Sequence, residues 1–250
     1  MELSVGSRTE IGPRKVNQDS MGSWPELGLY VVADGMGGHN AGDVASLLAV
    51  ETIHAFISET AAAPDMTWPF GIEIGQSVDM NRLATAVRLA NRRIYDESSK
   101  KAELSGMGTT VVAALVADGK VMLASVGDSR VYRFRDGSLE QLTKDDTWLA
   151  SVLGTKQAKE ADRSHPLRHV LTSVVGTKGD VKPSAREEAL VAGDTIILCT
   201  DGVHGRLDHA ALTAVLAAAA NPEERAFQLV GEALAQGTSD NATALVITIA

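Results

Sequence analysis

Four aspartates stand where apolar runs end or begin, and carboxylates in such places can gather around divalent metals. Asp34 closes the run Tyr30-Val31-Val32-Ala33, and Asp128 closes Val121–Gly127. Asp201 follows Ile196-Ile197-Leu198-Cys199-Thr200, and Asp240 precedes the apolar stretch Ala242–Ile249. Apolar runs of this length bounded by turn residues read as buried strands. Carboxylates collected at strand ends repel one another unless protons or cations neutralise them. Hard oxygen ligands without a Cys/His cluster point to Mg2+ or Mn2+ rather than zinc, and such metals commonly handle phosphate.

Asp34 is followed by Gly35-Met36-Gly37-Gly38-His39. The glycines let the backbone come close to an ion, and a strand-end Asp-Gly offers a carboxylate together with a carbonyl oxygen. No Gly-Lys-Ser/Thr follows, so this is not a P-loop; a tight strand-to-helix turn explains the segment equally well. Arg14-Lys15-Val16-Asn17-Gln18-Asp19 sets a guanidinium, suited to bidentate phosphate capture, five residues from a carboxylate. Taken singly it reads as a solvated turn. Gly127-Asp128-Ser129-Arg130, Asp201-Gly202 and Asp240-Asn241 are also ordinary turn sequences in isolation.

The elements that must position these residues can be read from the periodicity. Strands are predicted over 2–10, 28–34, 109–117, 121–127, 130–135, 138–143, 181–190, 194–200 and 242–249. Helices are predicted over 42–58, 79–98, 208–219 and 222–236, the last with Asn221 as cap and Pro222 in its first turn. Leu47, Val50, Ile53 and Ile57 lie near one face of the first helix, and Arg82, Arg88, Arg92 and Arg93 point outward from the second. Asp118-Gly119 and Asp136-Gly137 between strand pairs are hairpin signals, which means antiparallel sheet rather than a βαβ nucleotide fold. Segment 60–78 reads as a loop, and its Trp68-Pro69-Phe70 reads as packing on the body in preference to forming an exposed docking patch. Segment 144–179 reads as irregular, with a short helix near 146–153. The fold class is α+β, and residues 1–250 read as a single domain.

Formal charge is −9, from 23 basic and 32 acidic residues, which disfavours nucleic acid as a partner. The one cysteine, Cys199, sits in an apolar run and reads as a buried thiol. Met1-Glu2-Leu3-Ser4 lacks the basic and apolar regions of a signal peptide, and no run of 18 apolar residues suggests membrane insertion. The expectation is a cytoplasmic protein.

In chain order, six segments resemble the motif series of bacterial type 2C, metal-dependent protein serine/threonine phosphatases. They are Arg14-x-x-Asn17-Gln18-Asp19, Val32–His39, Gly106-Met107-Gly108-Thr109-Thr110, Val126–Arg130, Cys199-Thr200-Asp201-Gly202 and Asp240-Asn241-Ala242-Thr243. The resemblance runs from about residue 4 to 249. It implies a four-layer α-β-β-α sandwich, with two antiparallel sheets between helix pairs and a flap at about 144–179. It implies two Mn2+ or Mg2+ ions, bridged by Asp34, with the Gly35 carbonyl on one and Asp201 and Asp240 on the other. Asp128 with Asp201 matches a third metal site. Arg14 would grip the substrate phosphate, with Asp19 near the metals through water and Asn241 behind the ligands. A water bridging the two ions would attack phosphoserine or phosphothreonine of a protein, and a serine/threonine kinase would be the opposing partner.

The chain departs from the pattern in places. Met36 stands where eukaryotic relatives carry a candidate acid, which leaves His39 as an uncertain donor to the leaving group. Asp145-Asp146-Thr147 replaces a common Asp-His-Ser, and His169 stands where an Asn is usual. The spacing of His165, His169 and His204 fits no zinc pattern. Two rival readings are a phosphatase devoted to one partner-switching regulator and a catalytically silent phosphoprotein-binding module. The second should lack metal carboxylates or Arg14, and none is missing.

Overall fold

The computed structural model describes residues 2–37, 41–63, 66–153, 167 and 170–250. Two antiparallel sheets face each other. The first carries strands in the order β1 (Leu3–Glu10), β11 (Ala242–Ile249), β10 (Thr195–Cys199), β7 (Arg130–Arg135) and β8 (Ser138–Gln141). The second runs β2 (Asp19–Trp24), β3 (Leu29–Met36), β5 (Val111–Ala117), β6 (Lys120–Val126) and β9 (Ser184–Ala189), with the two-residue β4 (Gly108–Thr109) on β3.

Alternation along the strands sorts side chains into three cores. Tyr30, Val32, Val112, Leu123, Ile196, Leu198, Leu245 and Ile247 fill the space between the sheets. Leu29, Val31, Ala113 and Met122 face α1 (Gly42–Ala62) and α2 (Val78–Lys100) on the outside of the second sheet. Ile197, Cys199, Ala244 and Val246 face α5 (His209–Ala218) and α6 (Pro222–Ala235) outside the first. The order helix, sheet, sheet, helix is the predicted four-layer sandwich.

Both hairpins form where the Asp-Gly pairs stand. Asp118 and Gly119 have φ of 50° and 73°, and Asp136 and Gly137 have 50° and 76°. These left-handed pairs match the strand twist and set Ala117 opposite Lys120 and Arg135 opposite Ser138. Asn221 caps α6 by accepting from the Glu224 amide at 2.9 Å, with Pro222 in the first turn.

Several expectations change. β2 is not predicted, because Asp19-Ser20-Met21-Gly22-Ser23-Trp24 has no apolar alternation; it is an edge strand whose partner is β3. Of the residues expected on the inner face of α1, Val50, Ile53 and Ile57 are buried but Leu47 is exposed, and Ala45, Ala49 and Phe56 complete the buried face. Arg82 and Arg88 do not simply point outward. Trp68 packs edge-on against Phe56 with centroids 6.2 Å apart, Arg82 lies over Trp68, and Arg88 lies 4.2 Å over Phe70. So the 66–77 segment covers part of α2, and Trp68-Pro69-Phe70 packs on the body as expected. α1 is long and apolar enough to cross a membrane by length and composition, but its apolar face is committed to the core beside β3.

Candidate active site

Every predicted aspartate lies at one end of the sandwich. Asp34 is near the end of β3 and Asp19 opens β2, where the two are paired in register. Asp128 follows β6, Asp201 follows β10, and Asp240 precedes β11. Strand direction alone makes these ends coincide within each sheet. Three bonds then join the sheets at that edge. The Thr200 and Thr243 hydroxyls, from the first sheet, donate to Asp19 Oδ2 in the second at 3.0 and 2.6 Å. His204 Nε2 bonds the Asp128 carbonyl at 3.0 Å.

Asp34 is held through its backbone. Its amide donates to Thr110 Oγ1 at 3.1 Å, and its carbonyl accepts from the Thr110 amide at 2.8 Å and from Thr109 Oγ1 at 2.9 Å. Thr110 Oγ1 in turn bonds Ser129 Oγ at 2.7 Å. The backbone bonds leave the Asp34 carboxylate to its acidic neighbours. A Cβ on Gly35 would overlap the Gly42 carbonyl at the start of α1, and one on Gly202 would overlap the Asn241 carbonyl. Each glycine therefore permits a close approach that brings a loop or helix start against a ligand position.

Asp201 begins the short helix α4 (Asp201–His204), where Asp201-Gly202 in isolation reads as a turn. Asn241 fastens the Arg14 loop. Its side chain donates to the carbonyls of Ile11 and Val16 at 2.8 and 3.0 Å and accepts from the Gln18 amide at 2.9 Å. Arg14 Nη2 donates to Asp240 Oδ2 at 2.7 Å and its Nε to the Ser239 carbonyl at 2.8 Å, while half of the side chain stays exposed.

The electrostatics are those of crowded acids. Burial, reinforced by Asp19, Asp201, Asp128 and Asp240, pushes the Asp34 carboxyl well above the usual carboxylate range. Burial lifts Asp19 to about 7, against the lowering effect of its two threonine donors. Asp128 also rises to about 7, from burial and then from Asp201 and Asp145. Asp19 Oδ1 is buried without a hydrogen-bond partner among the described residues. A buried carboxylate oxygen left bare at the centre of like charges calls for a cation or a water held by one. Among the described residues no three ligand side chains close on a single point.

The flap departures have structural roles. Arg130 clamps Asp145 through Nε to Oδ1 at 3.0 Å and Nη2 to Oδ2 at 2.7 Å. Asp146 exchanges bonds with Gly127, accepting from its amide at 3.1 Å and donating its own amide to the Gly127 carbonyl at 2.8 Å. The short helix α3 (Trp148–Leu153) starts there, as the sequence predicts. His39, His165 and His169 lie outside the described residues. Thr109, Thr110, Ser129, Thr200 and Thr243 stand within the motif segments, but nothing in the sequence assigns them individual roles; the structure shows them holding Asp34 and Asp19.

Known proteins share this sequence pattern and fold. A family model described as protein phosphatase 2C matches residues 8–237. The serine/threonine phosphatase stp of Listeria monocytogenes is 33% identical over 224 residues, covering 88% of this chain and 83% of its own. The crystal structure of the Mycobacterium tuberculosis serine/threonine phosphatase PstP/Ppp superposes with a TM-score of 0.83 at 32% identity, over 99% of this chain and 98% of that one. A PstP catalytic domain solved with two manganese ions gives 0.81 at 31%, over 98% and 97%.

Proposed function

The chain belongs to the protein phosphatase 2C family and is a metal-dependent serine/threonine protein phosphatase, and on that premise we propose how its residues share the work. Asp34 and the Gly35 carbonyl would hold one divalent ion, Mn2+ or Mg2+, with Asp34 reaching a second that Asp201 and Asp240 complete. Asp128, beside Asp201, would serve a third. When bound, the ions supply the Lewis acidity that activates water and offsets charge on the phosphoryl oxygens.

Arg14 is the cation this chain itself brings to the phosphoryl group. Its exposed guanidinium lies at the rim of the acidic cluster, and Asn241 fixes the loop that carries it. A planar guanidinium can take two phosphoryl oxygens at once. The other residues hold the acids in place, Thr110 through the Asp34 backbone and Thr200 and Thr243 through the Asp19 carboxylate. Cys199 takes no part as a nucleophile, since it is fully buried and its thiol is pushed up to about 12. The substrates are phosphoserine and phosphothreonine in proteins, set there by an opposing serine/threonine kinase, and the setting is the cytoplasm.

The observation that carries this reading is the gathering of strand-end carboxylates from both sheets around one half-exposed arginine. The test is phosphate release from a phosphothreonine peptide with Mn2+, with excess chelator, and in Asp34→Asn and Asp240→Asn variants. Activity should need Mn2+ and fall by at least about 10²-fold in either variant. Undiminished turnover in chelator, or in both variants, overturns the assignment.

A further inference from the structure

Four polar side chains from three separate parts of the chain meet in a single hydrogen-bond chain that ends on Asp19. Asn17 Nδ2 donates to Thr9 Oγ1 at 2.9 Å, Thr9 Oγ1 bonds Thr243 Oγ1 at 2.7 Å, and Thr243 Oγ1 donates to Asp19 Oδ2 at 2.6 Å. A hydroxyl has one proton. Thr243 gives its proton to the carboxylate, so Thr9 must donate to Thr243, and Thr9 must then accept from Asn17. The direction of every bond in the series is fixed as long as Asp19 is ionised. Thr200 adds a second donor to the same oxygen at 3.0 Å, and Thr200 Oγ1 itself accepts from the Thr243 amide at 3.1 Å. Asn17 Oδ1 accepts from the Asp19 amide at 3.1 Å, which closes the network on the strand where it ends.

The consequence for Asp19 is asymmetric. Oδ2 receives two hydroxyl donors, while Oδ1, equally buried, has no partner among the described residues. Two donors on one oxygen stop rotation of the carboxylate and favour its charged form. They leave the other oxygen facing the acidic cluster. Resting on the metal-site reading above, we propose that Thr243, supported by Thr200, Thr9 and Asn17, is a positioning residue that aims Asp19 Oδ1 at the water shell of the metal centre.

Thr243 is suited to a clean test. It is fully buried, so Thr243→Val keeps the packed shape but removes the donor, whereas Thr243→Ser keeps the donor but loses a methyl. Thr9 is exposed, so water can take its proton in the valine variant. If Thr243 mattered only for packing, valine would be the better replacement. If it positions Asp19, serine would be. Outer hydrogen-bond partners of metal sites are typically worth 10–100-fold in affinity or activity.

The experiment measures Mn2+ affinity by calorimetry on metal-stripped wild-type, Thr243→Val and Thr243→Ser proteins, with kcat and KM on one phosphothreonine peptide and melting temperature for each. Thr243→Val should weaken Mn2+ binding by about tenfold and lower kcat similarly, with KM for the peptide changed less than about twofold because Arg14 is untouched. Thr243→Ser should retain wild-type affinity and kcat within about threefold even if it melts lower. Valine at wild-type affinity and kcat, or serine as impaired as valine, overturns the proposal while leaving the metal-site reading standing. Wild-type protein that binds no Mn2+ removes both. Should Thr243→Val fail to fold, Thr200→Ser against Thr200→Val makes the same comparison.

Discussion

Arg14 and Asp240, 226 residues apart in sequence, share an ion pair of 2.7 Å at the rim of the acidic cluster. One partner is the expected phosphate ligand and the other an expected metal ligand. The guanidinium therefore spends its charge on a carboxylate that a metal ion would also engage. A pair this exposed contributes little to stability by itself; its importance lies in the competition it sets up.

Arg14→Ala removes the phosphate ligand and the competitor together. kcat/KM for a phosphopeptide should fall by roughly 10²-fold, the size of about 3 kcal/mol of charge-assisted bonding. Mn2+ affinity should hold or rise, because Asp240 is released. Steady-state kinetics and calorimetry on the same preparation check both halves. A large loss of Mn2+ affinity would show that Arg14 builds the metal site rather than competes with it.

Asp128 makes folding of the metal-free protein depend on pH in an unusual direction. Burial pushes its carboxyl up to about 7 in the folded chain, above the ordinary value of 3.8, so the folded chain holds a proton that the unfolded chain releases. That contribution is present in full below about pH 4 and is lost as pH rises through about 7. Asp128→Asn should therefore stabilise the metal-free protein at pH 8, on the order of 2–4 kcal/mol, and change little at pH 4. Urea titrations in chelator at the two pH values measure it; equal effects at both would refute the assignment.

Proton release should accompany metal binding. With Asp19 and Asp128 both near 7, these two acids are partly protonated in the metal-free protein at pH 6.5 and must shed protons when the ions bind. Calorimetric Mn2+ titrations in buffers of differing ionisation enthalpy should show a net release at pH 6.5 that shrinks by pH 8.5. No buffer dependence at pH 6.5 would mean that the carboxylates are already ionised there.

The Arg130–Asp145 clamp is mostly shielded, with each side chain 17% exposed. Asp145→Ala leaves the guanidinium with one remaining side-chain hydrogen bond among the described residues, to the Tyr132 hydroxyl at 2.9 Å. Breaking such a pair costs about 3 kcal/mol, which in a chain of this size lowers the melting temperature by roughly 6–12 °C. Scanning calorimetry tests this, and a shift under about 2 °C would show the clamp to be dispensable.

Gly35 has no room for a side chain. Gly35→Ala drives a methyl into the Gly42 carbonyl and against the Gln18 carbonyl 2.7 Å away. Backbone must move to admit it, at a cost of about 3 kcal/mol or more. The movement parts β3 from the start of α1 beside Asp34, so Mn2+ binding should fall along with melting temperature. A variant with wild-type melting and metal binding would contradict the close approach.

What the sequence reveals depends on how local the cause is. The two Asp-Gly hairpins are legible because left-handed φ is a property of the pair itself. The aspartates are legible because each ends an apolar run, and their order along the chain then carries the family resemblance. β2 is hidden because an edge strand owes its form to β3 rather than to its own alternation. Leu47 has the right spacing for the buried face of α1 yet is exposed, since the smaller Ala45 and Ala49 lie against the sheet. The hydroxyl pair on Asp19 is not readable in advance, because Thr200 and Thr243 come from 181 and 224 residues away. Nothing near Asp19 in sequence announces them.

The strand order β1-β11-β10 puts β11, the latest strand among the described residues, between β1 and the strand that leads into Asp201. Asp240, Asn241 and Thr243 all belong to that late insertion. During synthesis a ribosome-bound chain can complete the helix-covered second sheet, yet its Arg14 loop has no Asn241 to fasten it and its Asp19 no Thr243. Closure of the site therefore waits on β11 and the turn before it, however early the rest of the sandwich folds.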